Sequence, residues 1–436
     1  MGKWIAIKNF IGVRWLRKFK DREALRHYQK KMLYRHMEFL KMHSPYFKLR
    51  KEMRFKDLPT MNKQIMMEHF DEMNTLGLKK DRALSIAIES EHTRDFNPTY
   101  NGVSVGLSSG TSGHRGLFVV SDKERMEWAG AMLAKMLSKG HILHHRIAFF
   151  LRADNNLYET INSSAIQFRF FDLMKPLKEN LEEVEQFRPT ILVAPASVLK
   201  DIAKEIHGGK VKLDPERVVS VAEVLNDADE VFLKQVFHKN IIFQVYQCTE
   251  GFLAYTCSCG RMHLNEDIVV VEKERLDGRR FIPIVTDFRR TSQPIVRYRL
   301  NDVLVESDQT CPCGNPATVI ERIEGREDDI FLLPAADHTI VRVYPDFISR
   351  CLVYVDAIRN YRVIQIDPET IEIQLEAETK DKTARDTSER EELMKKQIIQ
   401  EFERLADRQG FVKPKILFAE YTIEPGKKVK RVERRF

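Results

Sequence analysis

The spacing of apolar residues predicts helices in the first part of the chain. Between residues 21 and 43, apolar side chains recur at every third or fourth position, as on one face of an α-helix: Leu25, Met32, Leu33, Met37 and Leu40. Ser44-Pro45 follows, and the residue before a proline disfavours helical backbone, so we expect the helix to end there. The same spacing predicts a second helical stretch near Asn62–Met73.

The middle of the chain alternates short apolar runs with amphipathic stretches. Runs rich in β-branched residues predict strands at Val103–Leu107, Leu117–Val120, Ile147–Leu151, Thr190–Val193, Val218–Ala222, Ile241–Val245 and Ile268–Glu272. Helical spacing predicts helices at Asp122–Lys139 and Ala196–Ile206. Because strands that alternate with helices are typical of layered α/β folds, we predict an α/β body.

The pattern changes near residue 325. Beyond it, one long charged helix is predicted over residues 387–408, together with β-like segments at Tyr361–Ile366, Ile371–Glu376 and Ile416–Ile423. These elements predict a small α+β domain. We place the boundary at Gly325–Asp329, which gives domains 1–325 and 326–436, and we expect the polar segment Lys380–Arg390 to be a loop.

Length and composition fit a globular chain with more than one domain. The chain has 436 residues, of which 43% are hydrophobic and 31% are charged. No run of about 18 apolar residues occurs, so no transmembrane helix is predicted. The N-terminus lacks the apolar core of a secretory signal, and Ala6 stands where a myristoylated chain needs Ser or Thr.

The charge is unevenly distributed. Residues 1–56 carry 17 Lys and Arg against 4 Asp and Glu, and residues 425–436 carry 6 against 1, so the remaining chain is net acidic. The basic N-terminal helix also contains Trp4, Ile5, Ile7, Phe10, Ile11 and Trp15. It could contact an anionic membrane surface, or its apolar stripe could cover the domain, and we favour the second. Nucleic acid is not an expected partner, because no reader motif accompanies the charge.

Four of the six cysteines form two Cys-x-Cys-Gly units. Cys257 and Cys259 belong to the first, and Cys311 and Cys313 to the second. Without a signal peptide this pattern favours a metal over disulfides, and a cytoplasmic location. Four thiolates suit a closed, structural Zn²⁺ site, with His263 as an alternative ligand. We expect Cys248 and Cys351 to be ordinary buried thiols.

Residues 108–116 read Ser-Ser-Gly-Thr-Ser-Gly-His-Arg-Gly and follow a predicted strand. Glycines let the backbone approach a ligand closely, and the hydroxyl and N–H groups can bind phosphate oxygens. The spacing differs from that of the common P-loop, which ends in Gly-Lys-Ser/Thr. Taken alone, a segment rich in serine and glycine is more often a plain linker.

Two further segments place polar groups directly after apolar strands. Tyr246–Gly251 offers a hydroxyl at Thr249 and a carboxylate at Glu250, a ligand type that Mg²⁺ prefers. Asp302 follows another apolar run and could accept hydrogen bonds from ribose hydroxyls. Gly325–Asp329 has the composition of a hinge, and lysines follow Pro425-Gly426 near the C-terminus.

Together and in this order, these segments resemble the adenylate-forming superfamily. Within it they are most similar to the phenylacetate–CoA ligase branch and its small relatives from capsule loci or of the cofactor-adenylylating type. The resemblance covers nearly the whole chain and implies a large ATP- and acid-binding domain with a mobile C-terminal lid. The sequence departs from the family pattern at His114-Arg115, at Gln247 and at Asn301.

The resemblance implies a role for each motif. The ATP phosphate loop would comprise Ser108, Ser109, Gly110, Thr111, Ser112 and Gly113, and the adenine segment would comprise Ala222, Glu223 and Tyr246. Thr249 would contact the α-phosphate, Glu250 would hold Mg²⁺, and Asp302 would bind the ribose. Arg326 is counted with the nucleotide-binding residues, Asp328 would lie at the hinge, and a bridging lysine would follow near the C-terminus. Lys427 or Lys428 is that lysine, depending on the end from which the motif is aligned.

The implied activity is ATP- and Mg²⁺-dependent adenylation of a carboxylic acid, followed by transfer to CoA. An aromatic acid is one option, because Phe149–Asn156 and Phe168–Phe171 are predicted to line the pocket. The alternatives are a related enzyme with a non-CoA acceptor and, more distantly, an inactive zinc-stabilised scaffold. A homodimer is also among the predicted partners.

Overall fold

The computed structural model divides the chain into two compact units. It describes residues 2–93, 95, 99–107, 116–138, 140–151, 162, 165–173, 175, 177–353, 355, 358–377, 384–422 and 430–436. Unit 1 comprises Met1–Leu300 and Val305–Arg322, and unit 2 comprises Asn301–Leu304 and Ile323–Phe436. The boundary predicted from the sequence lies at Gly325–Asp329, close to the start of the longer segment of unit 2.

Unit 1 contains the predicted helices and several more. Its helices are α1 (Gly2–Ile11), α2 (Arg22–His43), α3 (Pro45–Lys48), α4 (Lys63–Glu68), α5 (Phe70–Met73), α6 (Lys80–Thr93), α7 (Asp122–Met136), α8 (Leu177–Phe187), α9 (Ala196–His207) and α10 (Asp227–Val236). The predicted start and end of α2 are confirmed. The Asp21 carboxylate accepts from the Ala24 N–H at 2.8 Å, and the helix ends before Ser44.

A small antiparallel sheet flanks the glycine-rich segment. It consists of β1 (Thr99–Tyr100), β2 (Val103–Leu107) and β3 (Leu117–Val120), with Leu107 paired to Leu117. The predicted strands on both sides of residues 108–116 are therefore confirmed. Residues 108–115 themselves lie outside the described part of the chain, and with them the predicted phosphate loop.

Among the described residues, the large sheet has 12 strands. They are β4 (His145–Leu151), β5 (Ile166–Asp172), β6 (Ile191–Ala194), β7 (Arg217–Val221), β8 (Phe243–Cys248), β9 (Gly251–Thr256), β10 (Met262–Leu264), β11 (Val269–Arg275), β12 (Arg280–Asp287), β13 (Ile295–Arg299), β14 (Asp302–Glu306) and β15 (Val319–Arg326). The order is β11-β12-β14-β15-β10-β9-β8-β7-β6-β4-β5, and β13 pairs with β12. The unit boundary falls within β14 and β15.

The strands from β5 to β8 are parallel and separate two apolar cores. Along β6, Ile191 and Val193 enter one core, whereas Leu192 and Ala194 enter the other. All four residues are buried. Strands that are buried on both faces read as continuous apolar runs, which is why β6 and β7 could be predicted, whereas β5, whose buried residues alternate with partly exposed ones, was not. The carboxyl ends of the parallel strands meet at one edge of the sheet, and Thr249 and Glu250 directly follow the carboxyl end of β8.

Unit 2 is a small α+β unit, as predicted. Its elements are β16 (Phe331–Pro334), β17 (Ile340–Val343), α11 (Pro345–Val353), β18 (Ile358–Asp367), β19 (Thr370–Ala377), α12 (Ala384–Gln409), β20 (Lys415–Glu420) and β21 (Val432–Arg434). The sheet order is β20-β19-β18-β21, and β16 and β17 form a separate pair. Apolar residues of α12, including Ile398 and Phe402, complete the core of this sheet.

Two expectations are corrected. The loop predicted at Lys380–Arg390 is wrong from residue 384 onwards, because α12 begins at Ala384 and Ala, Arg and Glu are favourable helix residues. The apolar stripe of the N-terminal helix covers the domain only in part, because Phe10 packs against the core whereas Trp4, Ile7 and Ile11 are exposed. None of the helices in the described part of the chain is long and apolar enough to cross a bilayer.

The buried histidine of α2 gives the fold a testable pH dependence. His36 is 4% exposed, and its ring nitrogens have no hydrogen-bond partner among the described residues. Burial lowers the pKa of His36 to about 4, against the opposing charge of Glu124. An unfolded histidine has a pKa of about 6.5, so the unfolded chain binds more protons between these values. The stabilisation by neutral His36 is thus complete above about pH 6.5 and is lost towards pH 4.

We expect His36→Leu to flatten this dependence. Between pH 7.5 and pH 5, the free energy of unfolding should fall by about 2 kcal/mol less than in the wild type. Urea titrations followed by tryptophan fluorescence measure it, because all three tryptophans lie in unit 1. The exposed His27 on the same helix is the control, and His27→Leu should keep the wild-type dependence. Equal curves for all three proteins would contradict the prediction.

Candidate adenylation site

The predicted Thr249–Glu250 pair forms the turn between β8 and β9. Glu250 is 8% exposed, and the Thr249 hydroxyl donates to its carboxylate at 3.0 Å. Gly251 follows with φ 155°, and a β-carbon there would lie 3.1 Å from the Asp287 carboxylate. Glycine is therefore required for this tight turn, which holds the hydroxyl and the carboxylate at the end of the strand.

Tyr298 of β13 fixes the Glu250 carboxylate from a second direction. Its phenol group hydrogen-bonds to Glu250, and Tyr298 itself is buried. Burial and the nearby Glu250 charge both raise the pKa of Tyr298, so the phenol stays protonated and donates. This contact could not be predicted from the sequence, because Tyr298 and Glu250 are 48 positions apart and meet only when the strands fold together.

A small cavity joins this turn to the end of the glycine-rich segment. Its lining residues are Lys63, Met66, Gly116, Leu117, Phe118, Thr249, Glu250, Gln293 and Ile295. Gly116 is the last residue of the predicted phosphate segment, so Thr249 and Glu250 face the point where that segment rejoins β3. Lys63 also lines this cavity. The lining thus includes a cation, a carboxylate and a hydroxyl, which are the side-chain types that bind phosphates and their metal ions.

Gln293 and Arg290 hold β3 against this cavity. The Gln293 amide accepts from the Val119 N–H at 2.8 Å and donates to the Leu117 carbonyl at 2.9 Å. Arg290 donates to the carbonyls of Val119 and Thr249, each at 3.0 Å. One guanidinium thereby ties the strand that leaves the glycine-rich segment to the Thr249–Glu250 turn.

The charge of Arg290 acts on two buried carboxyl groups, Glu124 and Asp287. Burial raises the pKa of Asp287 to about 7, although the Arg290 charge acts against this shift. Burial would also raise the pKa of Glu124, but Arg290 and the N–H groups of Ser292 and Ser121 lower it below its usual value. Glu124 belongs to the capping box of α7, whose first turn is thereby fixed to the residues after β12.

The predicted adenine segment lies at the ends of β7 and β8. Ala222 follows β7 with φ 63°, a backbone conformation that non-glycine residues rarely adopt. The Glu223 carboxylate accepts from the Ser197 N–H at 2.9 Å and so joins this turn to the start of α9. Tyr246 is half-buried on β8 and precedes a register shift at Gln247.

The glutamine that departs from the family pattern has a structural role. The side-chain oxygen of Gln247 accepts from the Trp128 indole N–H at 3.0 Å. A glycine at this position could not make that bond. The substitution therefore attaches α7 to β8 beside Tyr246.

The remaining predicted residues belong to unit 2. Arg326 and Asp302 approach each other to 3.9 Å, and the Asn301 amide donates to Asp328 at 2.8 Å. Asn301, the second departure, thus anchors the predicted hinge residue. Lys427 and Lys428 lie outside the described residues, whereas the neighbouring Lys430 forms an ion pair with Asp329 at 2.9 Å.

The cysteine units meet at one end of the sheet. The ligand atoms of Cys257, His263, Cys311 and Cys313 all lie within 4.8 Å of one another. Sulfur atoms of Cys257 and Cys311 are 3.6 Å apart, and the Cys313 sulfur is 3.4 Å from His263 Nε2. The His263 Nδ1 atom lies 3.2 Å from the Ala317 carbonyl, so it is assigned the proton, which leaves Nε2 free to bind a metal.

Cys259 is exposed and lies outside this group. Its backbone N–H donates to the Cys257 sulfur at 3.4 Å, and the Asn315 N–H donates to the Cys313 sulfur at 3.5 Å. N–H groups directed at sulfur stabilise thiolates. The group therefore contains His263, the alternative ligand, in the place that the four-cysteine expectation gave to Cys259, and its donor set suits Zn²⁺.

The fold is that of the adenylate-forming ligases, which confirms the predicted resemblance at the level of the fold. The structure is similar to that of 2-hydroxyisobutyryl-CoA ligase in complex with an acyl-AMP, with a TM-score of 0.66 and 13% identity over 94% of this chain and 88% of that one. The anthranilate CoA ligase AuaEII in complex with anthranoyl-AMP gives a TM-score of 0.52, with 14% identity over 76% of this chain and 66% of that one.

Sequence comparison finds a relative that matches over a short part of the chain. Protein CapK of Staphylococcus aureus is 27% identical over 157 residues, which span 35% of this chain and 35% of CapK, so the match covers about a third of either protein. No family model matches the chain. The similarity to the phenylacetate–CoA ligase branch therefore stays a prediction.

Replacing Arg290 tests its role in joining β3 to the Thr249–Glu250 turn. We expect Arg290→Met to lower the free energy of unfolding by about 2 kcal/mol, because two bonds from a charged donor to the carbonyls of Val119 and Thr249 are lost. Urea unfolding followed by tryptophan fluorescence measures the change in unit 1. The control is Arg54→Met, which removes an exposed ion pair with Asp57 and should change stability by no more than about 0.5 kcal/mol. A shift of that small size for Arg290→Met would contradict the stabilising role of the two carbonyl bonds.

Proposed function

We propose that this chain is an ATP- and Mg²⁺-dependent ligase that converts a carboxylic acid to an acyl-adenylate and then transfers the acyl group to CoA. The observation that carries the proposal is the Thr249–Glu250 turn. It presents a hydroxyl and a nearly buried carboxylate at the carboxyl end of β8, in one cavity with Lys63 and Gly116. In open α/β sheets generally, ligands bind beyond the carboxyl ends of the strands, which is the edge where this turn lies.

The solved structures of similar fold support the same chemistry. The 2-hydroxyisobutyryl-CoA ligase was solved with its acyl-AMP and CoA, and AuaEII with anthranoyl-AMP. For this chain the acid itself stays a matter for experiment. The half-buried Phe149 and Phe168 are in ring contact, 5.6 Å apart, on the two strands predicted to line the acid pocket. This contact supports an aromatic acid as the first to test.

The chemistry determines what the residues must do. An oxygen of the acid attacks the α-phosphorus of ATP, and pyrophosphate leaves with the electrons of the broken P–O bond. Glu250 would hold the Mg²⁺ ion, which neutralises phosphate charge when it is bound. The ammonium group of Lys427 or Lys428 would stabilise charge on the acid and the α-phosphate as the bond forms. The CoA thiolate then attacks the acyl carbonyl, and AMP leaves.

Acid-dependent exchange between ATP and labelled pyrophosphate tests adenylation. We expect exchange with at least one acid from a panel of aromatic and aliphatic acids. Glu250→Gln should lower the exchange rate by about 10²–10³, because it removes a group that acts on the charged phosphates. Either Lys427→Ala or Lys428→Ala should lower the rate by about the same factor, for the same reason. Lys413→Ala is the matched control, since this exposed lysine pairs with Glu403 in unit 2, and it should keep the wild-type rate.

The acceptor is identified in the same assay. Release of AMP that depends on CoA, with formation of a CoA thioester, supports the CoA reaction. Acid-dependent exchange without consumption of CoA would favour a different acceptor. No exchange with any acid, together with no binding of ATP, would contradict the enzymatic proposal and favour the inactive scaffold.

We further propose that Cys257, His263, Cys311 and Cys313 hold a structural Zn²⁺ ion. Three thiolates and one imidazole complete a tetrahedral site, so no position is left open for a substrate. The ion would join the β9–β10 segment to the residues that precede β15, which include Cys311 and Cys313. Because the unfolded chain lacks a preformed site, binding of the ion would stabilise the folded arrangement of these segments.

Metal analysis of purified protein distinguishes the two ligand sets. We expect one zinc per chain in the wild type and in Cys259→Ser, and loss of the metal in Cys313→Ser and His263→Gln. The reverse result, with metal lost in Cys259→Ser and kept in His263→Gln, would support the four-cysteine set. His263 is fully buried, so its replacement could also lower stability. The absorption of Co²⁺-substituted wild-type protein therefore serves as an independent measure of the number of thiolate ligands. Absence of bound metal in the wild type would contradict the proposal.

A further inference from the structure

The N-terminal helix presents its large apolar side chains outward. Trp4 is 72% exposed, and Ile7, Ile11 and Trp15 are all at least 40% exposed. These four positions follow the spacing of one helical face, which Trp15 continues in the turn after α1. An apolar stripe of this kind is unusual on a surface that contacts only water.

The opposite face is bound closely to α7. A β-carbon at Gly130 would lie 2.3 Å from the Ala6 carbonyl, so the two helices touch backbone to backbone. The buried Asn9 amide donates to the Glu127 carbonyl. Arg14 donates to the carbonyls of Ala134 and Leu137, at 2.7 and 2.9 Å, where α7 ends.

These contacts fix the orientation of the stripe. Phe10 and Val13 also pack against the core to which α7 contributes, so rotating the helix to bury Trp4 would withdraw them and break the bonds of Asn9 and Arg14. The stripe therefore points outward as a consequence of this packing. Only a surface other than α7 could cover it.

Lysines surround the stripe. Lys3 and Lys8 are exposed on α1, and Lys18 and Lys20 are exposed just beyond it. Residues 1–56 carry 17 basic and 4 acidic side chains. A second copy of the chain that met this face with its own would bring two strongly basic surfaces together, which is unfavourable. An anionic lipid surface matches both features, because tryptophan enters the headgroup region and lysine binds lipid phosphates.

We propose that α1 and the following turn form a docking surface for an anionic phospholipid membrane. The helix would lie in the plane of the interface with Trp4, Ile7 and Ile11 inserted among the headgroups and Lys3 and Lys8 on phosphates. This binding is reversible and peripheral, because one short helix buries too little apolar surface to anchor a protein permanently.

Flotation of the full chain with lipid vesicles tests the surface. We expect binding to phosphatidylcholine vesicles that contain about 30 mol% phosphatidylglycerol, and at least about tenfold weaker binding to pure phosphatidylcholine. Binding should fall strongly in about 0.5 M NaCl, because salt screens the lysines. Trp4→Gln/Ile7→Gln and Lys3→Glu/Lys8→Glu should each weaken it at least about tenfold. Val231→Gln, an exposed apolar position on α10, is the control and should bind as the wild type does.

The thermal midpoints of all variants should match the wild type, since the replaced side chains are exposed. A blue shift of tryptophan fluorescence on adding the anionic vesicles, reduced in Trp4→Phe, would place the helix itself at the lipid. Equal binding by the wild type and both double variants would overturn the proposal. So would absence of binding together with a concentration-dependent dimer that Trp4→Gln/Ile7→Gln abolishes, which would assign the stripe to a second copy.

Discussion

The arrangement of the candidate site depends on one arginine that bonds to two separate segments of the chain. The half-buried Arg290 donates to the carbonyls of Val119 and Thr249, each at 3.0 Å, and its charge acts on the buried carboxyl groups of Glu124 and Asp287. Because the guanidinium is planar and its donors have a fixed geometry, two such bonds leave the joined groups little freedom to move apart. The strand that leaves the glycine-rich segment and the Thr249–Glu250 turn are therefore kept at a fixed separation.

The site also coincides with a change in the direction of the strands. β8 is parallel to β7 but antiparallel to β9, so the chain reverses after Cys248 through a tight turn rather than a crossover helix. The tight turn keeps Glu250 within one residue of the next strand. Gly251 and Tyr298 then restrict the remaining freedom of its carboxylate.

The predictable part of the fold is the part with a local pattern. The strands β6 and β7 could be predicted because they read as short apolar runs buried on both faces. By contrast, β5 mixes phenylalanines with Gln167 and Arg169 and was not predicted, and Val269–Arg275 mixes valines with charged residues and was predicted only in part. Thr249 and Glu250 could be found because they follow an apolar strand. Arg290 and Tyr298 could not, because their contacts reach residues tens of positions away and leave no spacing to detect. The choice between Cys259 and His263 required the pairing of β9 with β10.

Helix α7 contacts several parts of unit 1. Glu124 in its first turn accepts the Ser292 N–H, Trp128 donates to Gln247, and Gly130 touches the backbone of α1. These three positions lie within two turns of one rigid helix. The three positions cannot change independently, because a larger residue in place of Gly130 would displace the helix that also carries Glu124 and Trp128. Substitutions along α7 should accordingly be accepted in concert during evolution, even though the surfaces they serve are chemically unrelated.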